Sequence, residues 1–494
     1  MSRFHPVRAA AAALLAASVS ASAAGFDRSA WLQDYRLLKQ ELEKRYSHLA
    51  WMASPRSGVD LPRLDRETRS ALSRARGDAE ARQALLDFQR GFHDGHFSPL
   101  PPAEKQASPR HEPPPRPASR DDAISGCAAE GYVPRNRIAF SLPFETLAGI
   151  RLSADGLARP MRSGIADLGA AGKLALLRLP SFNPKDYPQA CLNAWASALT
   201  PDGRLDADRL YTQTMRAWYR ETAERMRELR AAGARALVID IGDNPGGNDS
   251  GDAMSRLLGA GPVRSEPLWL AQSPQGEAYL RQWLADLDAN LPADATPADR
   301  AALRPFADDF RDKLSRLRAE PVPDMGWVWR EQRRFDPAAR HSRLIQAGYA
   351  SGAVAELEAG RYSRVVAETL FWPALTFGSQ AAWDGPVYLL TDGQTYSAAE
   401  MFAAVSQDNR LAKTVGSRTG GDGCGFMNKI TPLTLPHSGM RFRIPDCARL
   451  RADGGDEVAG VAPDLPVAIS PGESRRALAR KTLDAVAADL ASLR

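Results

Sequence analysis

The sequence is sparing with the residues that most often declare a function. Only four of its 494 residues are cysteine and seven are histidine, and aromatic residues make up 7%. The cysteines, Cys127, Cys191, Cys424 and Cys447, stand far apart with no CxxC and no Cys/His cluster, so no metal site is expected. Nothing else in the sequence asks for a cofactor. Charge of one sign is also scarce: the formal net charge is +5, from evenly mixed basic and acidic residues. That balance is too mild to argue for a nucleic-acid partner or an anionic membrane surface. The apolar run Ala9 to Val19 is shorter than the roughly 20 residues a membrane-spanning helix needs, so no membrane span is expected.

What is present begins with the first 24 residues. Arg3 and Arg8 form a basic start, Ala9 to Val19 an apolar middle, and Ala21-Ser22-Ala23 a small-residue cleavage site. This is the pattern of a secretory signal at 1–24, and it predicts an exported protein, periplasmic or secreted. Losing Arg3 and Arg8 with a segment that has no acidic residue lowers the net charge by two, to +3. In an oxidising compartment four cysteines suggest two disulfides. We prefer Cys424–Cys447, because the residues between them look like one β-excursion, and then Cys127–Cys191; four cysteines allow three connectivities.

With 44% apolar residues, the chain can fill two or three domains. Residues 25–100 read as an N-terminal helical domain: Trp31, Tyr35, Leu38 and Leu42 recur at helical spacing, as do Ala81, Leu85, Phe88 and Phe92. Asp94-Gly95 is a turn signal that leaves His96 on a loop past the last helix. Proline-rich polar sequence makes 101–125 a linker. From 126 to 494, β-like runs alternate with helical ones, which predicts an α/β layer with largely parallel strands. Residues 262–380 are helical in pattern and separate two strands that would otherwise be neighbours. They read as an insertion, serving either as a lid or as a passive cap.

The chemistry concentrates between Gly385 and Asn409. Pro386 to Leu390 is a continuous apolar run suited to a strand buried on both faces, and Ala398 to Val405 a helix. Ser397 lies at the junction, where a hydroxyl would sit beside unpaired helix N–H groups able to meet an oxyanion. The plain alternative is a helix-capping serine. A second buried strand, Ala236 to Ile241, runs into Gly242-Asp243-Asn244-Pro245-Gly246-Gly247. The glycine pair would let the backbone approach a ligand, or would simply serve a turn. The spacing fits neither phosphate-binding glycine motif.

Three pieces, IDIGDNPGG at 239–247, TYSAAE at 395–400 and GVAPDLPV at 460–467, together resemble the carboxy-terminal-processing (tail-specific) serine peptidases. Asp94-Gly95-His96 extends the resemblance to the branch with the tricorn core peptidase and the interphotoreceptor retinoid-binding protein modules. It covers roughly 30–100, 170–260 and 385–470. The resemblance implies a crotonase-like layered β/α core and hydrolysis of peptides or unfolded proteins. It implies Ser397 as nucleophile, with Ala398, Gly246 and Gly247 forming the oxyanion hole. Where the lysine-dyad members carry their lysine, this chain has Gly421-Asp422-Gly423, and an aspartate cannot serve as that base. The tricorn-like branch uses histidine and glutamate instead, which implies His96 as base and Glu457 as its acidic partner. Gly95 departs from that branch, which has a serine there. His96 could instead be a surface histidine. Asp453, Asp456 and Asp464 compete with Glu457. A non-catalytic binding protein on the same fold is the alternative function, and no peptide-binding PDZ module is evident between 101 and 200.

Overall fold

A computed structural model describes residues 26–102, 122–136, 138–157, 159, 161–169, 172–427 and 431–493. The expected signal at 1–24 and most of the expected linker at 101–125 lie outside these. The organising element is a seven-stranded sheet. Its strands run, in spatial order, Leu465–Pro466, Lys413–Gly416, Val387–Thr391, Ala234–Asp240, Lys173–Arg178, Ser163–Asp167 and Ile150–Ala154. The first five are parallel, and each of the last two is antiparallel to the strand before it.

The unbroken apolar runs of the central strands follow from burial on both faces. Leu177, Leu237, Ile239, Val387 and Leu389 point to one side, against helices Ala207–Ala231 and Ala398–Asp408. Their neighbours Leu176, Ala236, Val238, Tyr388 and Leu390 point to the other, where helix Arg475–Ser492 supplies Leu483 and Val486. Alternation along each strand thus splits one run between two cores. The layered α/β core expected from the sequence is the observed fold.

Two three-stranded antiparallel sheets flank this core. In one, Ser98–Leu100 pairs with Arg441–Arg443, which also pairs with Leu433–Thr434. In the other, Pro267–Ala271 lies between Cys447–Arg449 and Leu344–Tyr349. The segment 262–380, helical in pattern, therefore also contributes two strands to the body of the protein. Its helices Pro274–Asp288 and Pro297–Ala319 pack on each other through Trp283, Leu287, Leu303 and Phe310. The N-terminal helices do not bury their apolar faces among themselves alone. Trp31, Tyr35, Leu38 and Phe88 share one core with Trp327, Val328, Leu435 and Phe442. The disulfides are Cys127–Cys191 and Cys424–Cys447.

Candidate active site

The strand Val387–Thr391 ends in a turn that Asp392 and Thr395 close on themselves, with Thr395 N donating to Asp392 O at 3.0 Å. Thr395 Oγ1 also donates to Ile241 O at 3.0 Å, and Tyr396 N to Asn244 O at 2.9 Å, so the turn is fastened to the glycine loop beside it. Ser397 follows at φ +53°, ψ −120°, a conformation that L-residues rarely adopt, and helix Ala398–Asp408 begins at once. Its hydroxyl makes no capping hydrogen bond, which removes the plain reading of a helix-capping serine. A strained serine standing proud between strand and helix is a means of presenting an oxygen to a substrate.

The glycine loop packs against it. Gly246 has φ +91°, and a Cβ there would lie 2.6 Å from Ser397 Cβ and 2.8 Å from Ala398 N. At Gly247 a Cβ would meet Phe182 O at 2.2 Å. Both glycines are therefore needed for close approach. The structure separates their roles. Gly246 N donates to Asn244 Oδ1 at 2.8 Å and Gly246 O accepts from Phe182 N at 2.8 Å, so its amide is occupied. Gly247, Ser397 and Ala398 line one cavity of about 750 Å³ together with His96.

His96 sits in the loop between helix Asp78–Arg90 and strand Ser98–Leu100. Asp94 Oδ1 accepts the His96 N–H at 2.8 Å and Asp94 Oδ2 the Tyr46 hydroxyl at 2.7 Å, which fixes the turn. The imidazole Nδ1 donates to the carbonyl oxygen of Asp422 at 2.8 Å, leaving Nε2 unprotonated in the neutral ring. Nε2 lies 3.5 Å from Asp422 Oδ2. Gly425 lies against the ring, and a Cβ there would be 2.7 Å from Nε2. Burial pushes His96 below the usual histidine range.

Glu457, expected against His96, is held elsewhere. It is buried in a short helical turn and pairs with Arg449 Nε, while its Oε1 has no hydrogen-bond partner among the described residues. Arg449, from strand Cys447–Arg449, also faces Glu266 at 3.8 Å and reaches the cavity wall. The place beside the histidine Nδ1 is taken by a backbone carbonyl, because Asp422 lies directly across from His96 and Arg449 draws Glu457 away. Burial raises Glu457, and Glu266 well above the usual carboxylate range.

Two residues given no role by sequence reasoning complete the site. Asp422 Oδ1 accepts the Ser397 N–H at 2.7 Å. Glu400, in the first turn of the Ser397 helix, is fully buried and accepts from Thr419 Oγ1 at 2.5 Å and from the N–H groups of Gly421, Asp422 and Gly423 at 2.7, 3.0 and 3.0 Å. Burial, reinforced by Asp422, pushes Glu400 up to about 8, and burial pushes Asp422 up to about 6. A signal for Glu400 was available: it is the single charge in the otherwise apolar run AAEMFAAV, and a carboxyl carried inward on such a helix must find donors. Among the described residues no cluster of His, Cys, Asp and Glu is arranged to hold a metal ion.

Residues 312–467, which contain Ser397, Glu400, Asp422 and Glu457, match the model of peptidase family S41. That match spans about a third of the chain and takes in the whole strand–turn–helix around Ser397. The match supports the serine-peptidase class of enzyme, which acts on peptides or proteins. Mature CPAF has the same fold as this chain: it is 16% identical, with 94% of this chain and 98% of that chain covered and a TM-score of 0.51. CPAF complexed with lactacystin gives 15% identity, 94% and 99% coverage and a TM-score of 0.53. A putative peptidase from Parabacteroides merdae is 14% identical over 93% of this chain and 96% of that one, at a TM-score of 0.43. No curated protein matches the chain.

Proposed function

We propose that this protein is an exported serine peptidase of the S41 type that cleaves peptide bonds with Ser397 as nucleophile and His96 as general base. The observation that carries the reading is the histidine's arrangement: His96 lines the same cavity as Ser397, and with Nδ1 tied to a carbonyl oxygen its Nε2 is left to accept a proton. Ser397 Oγ attacks the scissile carbonyl carbon while Nε2 takes the hydroxyl proton. The carbonyl oxygen becomes an oxyanion, met by the N–H groups of Ala398 and Gly247, while Gly246 provides the room. The imidazolium then gives its proton to the leaving amine as the C–N bond breaks. A water, deprotonated by the same nitrogen, attacks the acyl carbon, and Ser397 Oγ takes that proton back as its bond to the acyl group breaks. Glu457 enters this scheme as the buried anion that holds Arg449 at the cavity wall.

The cavity also supports action on extended or unfolded chains, since Tyr279, Trp283 and Trp372 of segment 262–380 line it together with Ser397. Two disulfides support an oxidising compartment, as does the basic and apolar start of the sequence. Among the described residues no helix is long and apolar enough to cross a membrane. The test is degradation of casein by the chain lacking residues 1–24, beside Ser397→Ala and His96→Ala. Loss of cleavage in both variants, with folding kept, is the expected result. Cleavage that survives His96→Ala moves the base elsewhere, and a wild type that cleaves neither proteins nor short peptides favours a binding protein.

A further inference from the structure

The peptidase scheme uses Ser397 and His96 and leaves out the residue that touches both. Asp422 meets the site through three of its atoms. Its Oδ1 holds the Ser397 N–H at 2.7 Å, its carbonyl oxygen holds His96 Nδ1 at 2.8 Å, and its Oδ2 stands 3.5 Å from His96 Nε2. We propose that Asp422 is a positioning residue of the reaction, fixing the nucleophile's backbone with its carboxylate and the tautomer of the base with its carbonyl. This rests on the Ser397–His96 reading above.

The geometry of the surrounding loop supports the assignment. Gly421 and Gly423 have φ of +81° and +52°, and with them three successive N–H groups converge on the Glu400 carboxyl. Glu400 belongs to the helix that Ser397 begins. Nucleophile, helix, Glu400, Asp422 and back to the Ser397 N–H therefore form a closed ring. His96, arriving from the other end of the sequence, fastens onto that ring at the Asp422 carbonyl. One residue thus relates two reacting side chains 301 positions apart, as their numbers in the sequence show. A serine held at φ +53° needs such an external anchor, since its own backbone preference pulls it away.

The charge on Asp422 matters as well as its shape. Glu400, His96, Asp94, Glu457 and Tyr396 are the titratable groups that face it. Glu400 accepts the Asp422 backbone N–H at 3.0 Å, so the two carboxyl groups belong to one ring. A carboxylate near Nε2 favours the imidazolium that forms when Ser397 gives up its proton.

The experiment measures kcat and KM against pH on a short peptide substrate for wild type, Asp422→Asn and Asp422→Ala, with thermal melts and Ser397 labelling by a fluorophosphonate probe. Asp422→Asn keeps the carbonyl contact and an acceptor for the Ser397 N–H while removing charge. We expect the acid limb of kcat/KM to move down by about one pH unit, with KM within about twofold. Asp422→Ala also orphans the Ser397 N–H and should lower kcat roughly ten- to hundredfold and slow the labelling. Should Asp422→Ala not fold, Asp422→Asn carries the test. A cleaving wild type whose Asp422→Asn shows the same limb and the same kcat overturns the Asp422 assignment alone. A wild type that neither cleaves nor takes up the probe overturns it together with the peptidase scheme.

Discussion

Ser397 should be replaceable by glycine with a gain in stability and a complete loss of activity. Its φ of +53° and ψ of −120° cost a residue with a Cβ about 1–3 kcal/mol, a cost that glycine does not bear. Glycine loses more backbone freedom on folding, which returns about 0.5–1 kcal/mol. The useful comparison is Ser397→Gly against Ser397→Ala, because both lack the hydroxyl and only the Cβ differs. The glycine variant should be the more stable by about 1 kcal/mol net. In a chain of this size that corresponds to about 1–2 °C in Tm, so urea unfolding read by fluorescence is the better assay. Neither variant should cleave peptide. An alanine variant as stable as the glycine one would mean that the backbone here is relaxed, and the case for a strained nucleophile would fall with it.

Three further outcomes follow from named contacts. Gly425→Ala puts a methyl group 2.7 Å from His96 Nε2, so kcat should fall at least about tenfold while the melting temperature stays within a few degrees. His48 is buried: burial pushes it down, but Asp456 at 2.7 Å outweighs this and raises it to about 9. Its contribution to stability, about 3 kcal/mol, is thus full below about pH 6.5 and is lost as pH rises through 9. Urea unfolding at pH 6 and pH 9.5 should show that loss in wild type and not in His48→Gln. Opening Cys424–Cys447 should cost about 3 kcal/mol by freeing a loop of 23 residues, and should abolish cleavage because Cys424 is two residues from Asp422. A Cys424→Ser/Cys447→Ser variant with full activity would refute this.

The sequence carried the core of this fold in a form that could be read. The runs at 236–241 and 387–390 were apolar throughout, and the structure pairs them in parallel, with Leu237 opposite Val387 and Asp240 opposite Leu390. The strand–turn–helix junction at Ser397 was legible because such junctions have few sequence solutions. The environment of the histidine was not legible. Periodicity shows which face of a helix is buried but not what buries it, so nothing in residues 30–93 revealed that Trp31 and Phe88 pack with Val328 and Phe442. For the same reason Glu457 could be placed near the site by motif, but its attachment to Arg449 depends on strand Cys447–Arg449 pairing with Pro267–Ala271, a contact between segments about 180 residues apart. Asp422 was visible only as a missing lysine, since a carbonyl that orients a ring leaves no trace in residue type.

The shared core of the N-terminal helices has a consequence for biosynthesis. His96 leaves the ribosome about 300 residues before Ser397, and the strand that completes its surroundings, Arg441–Arg443, comes later still. Until then the apolar faces of the first helices lack their partners, so the early chain cannot complete its core. On the proposed scheme, a product terminated before Asp422 would lack the Ser397–Asp422–His96 assembly and would be inert.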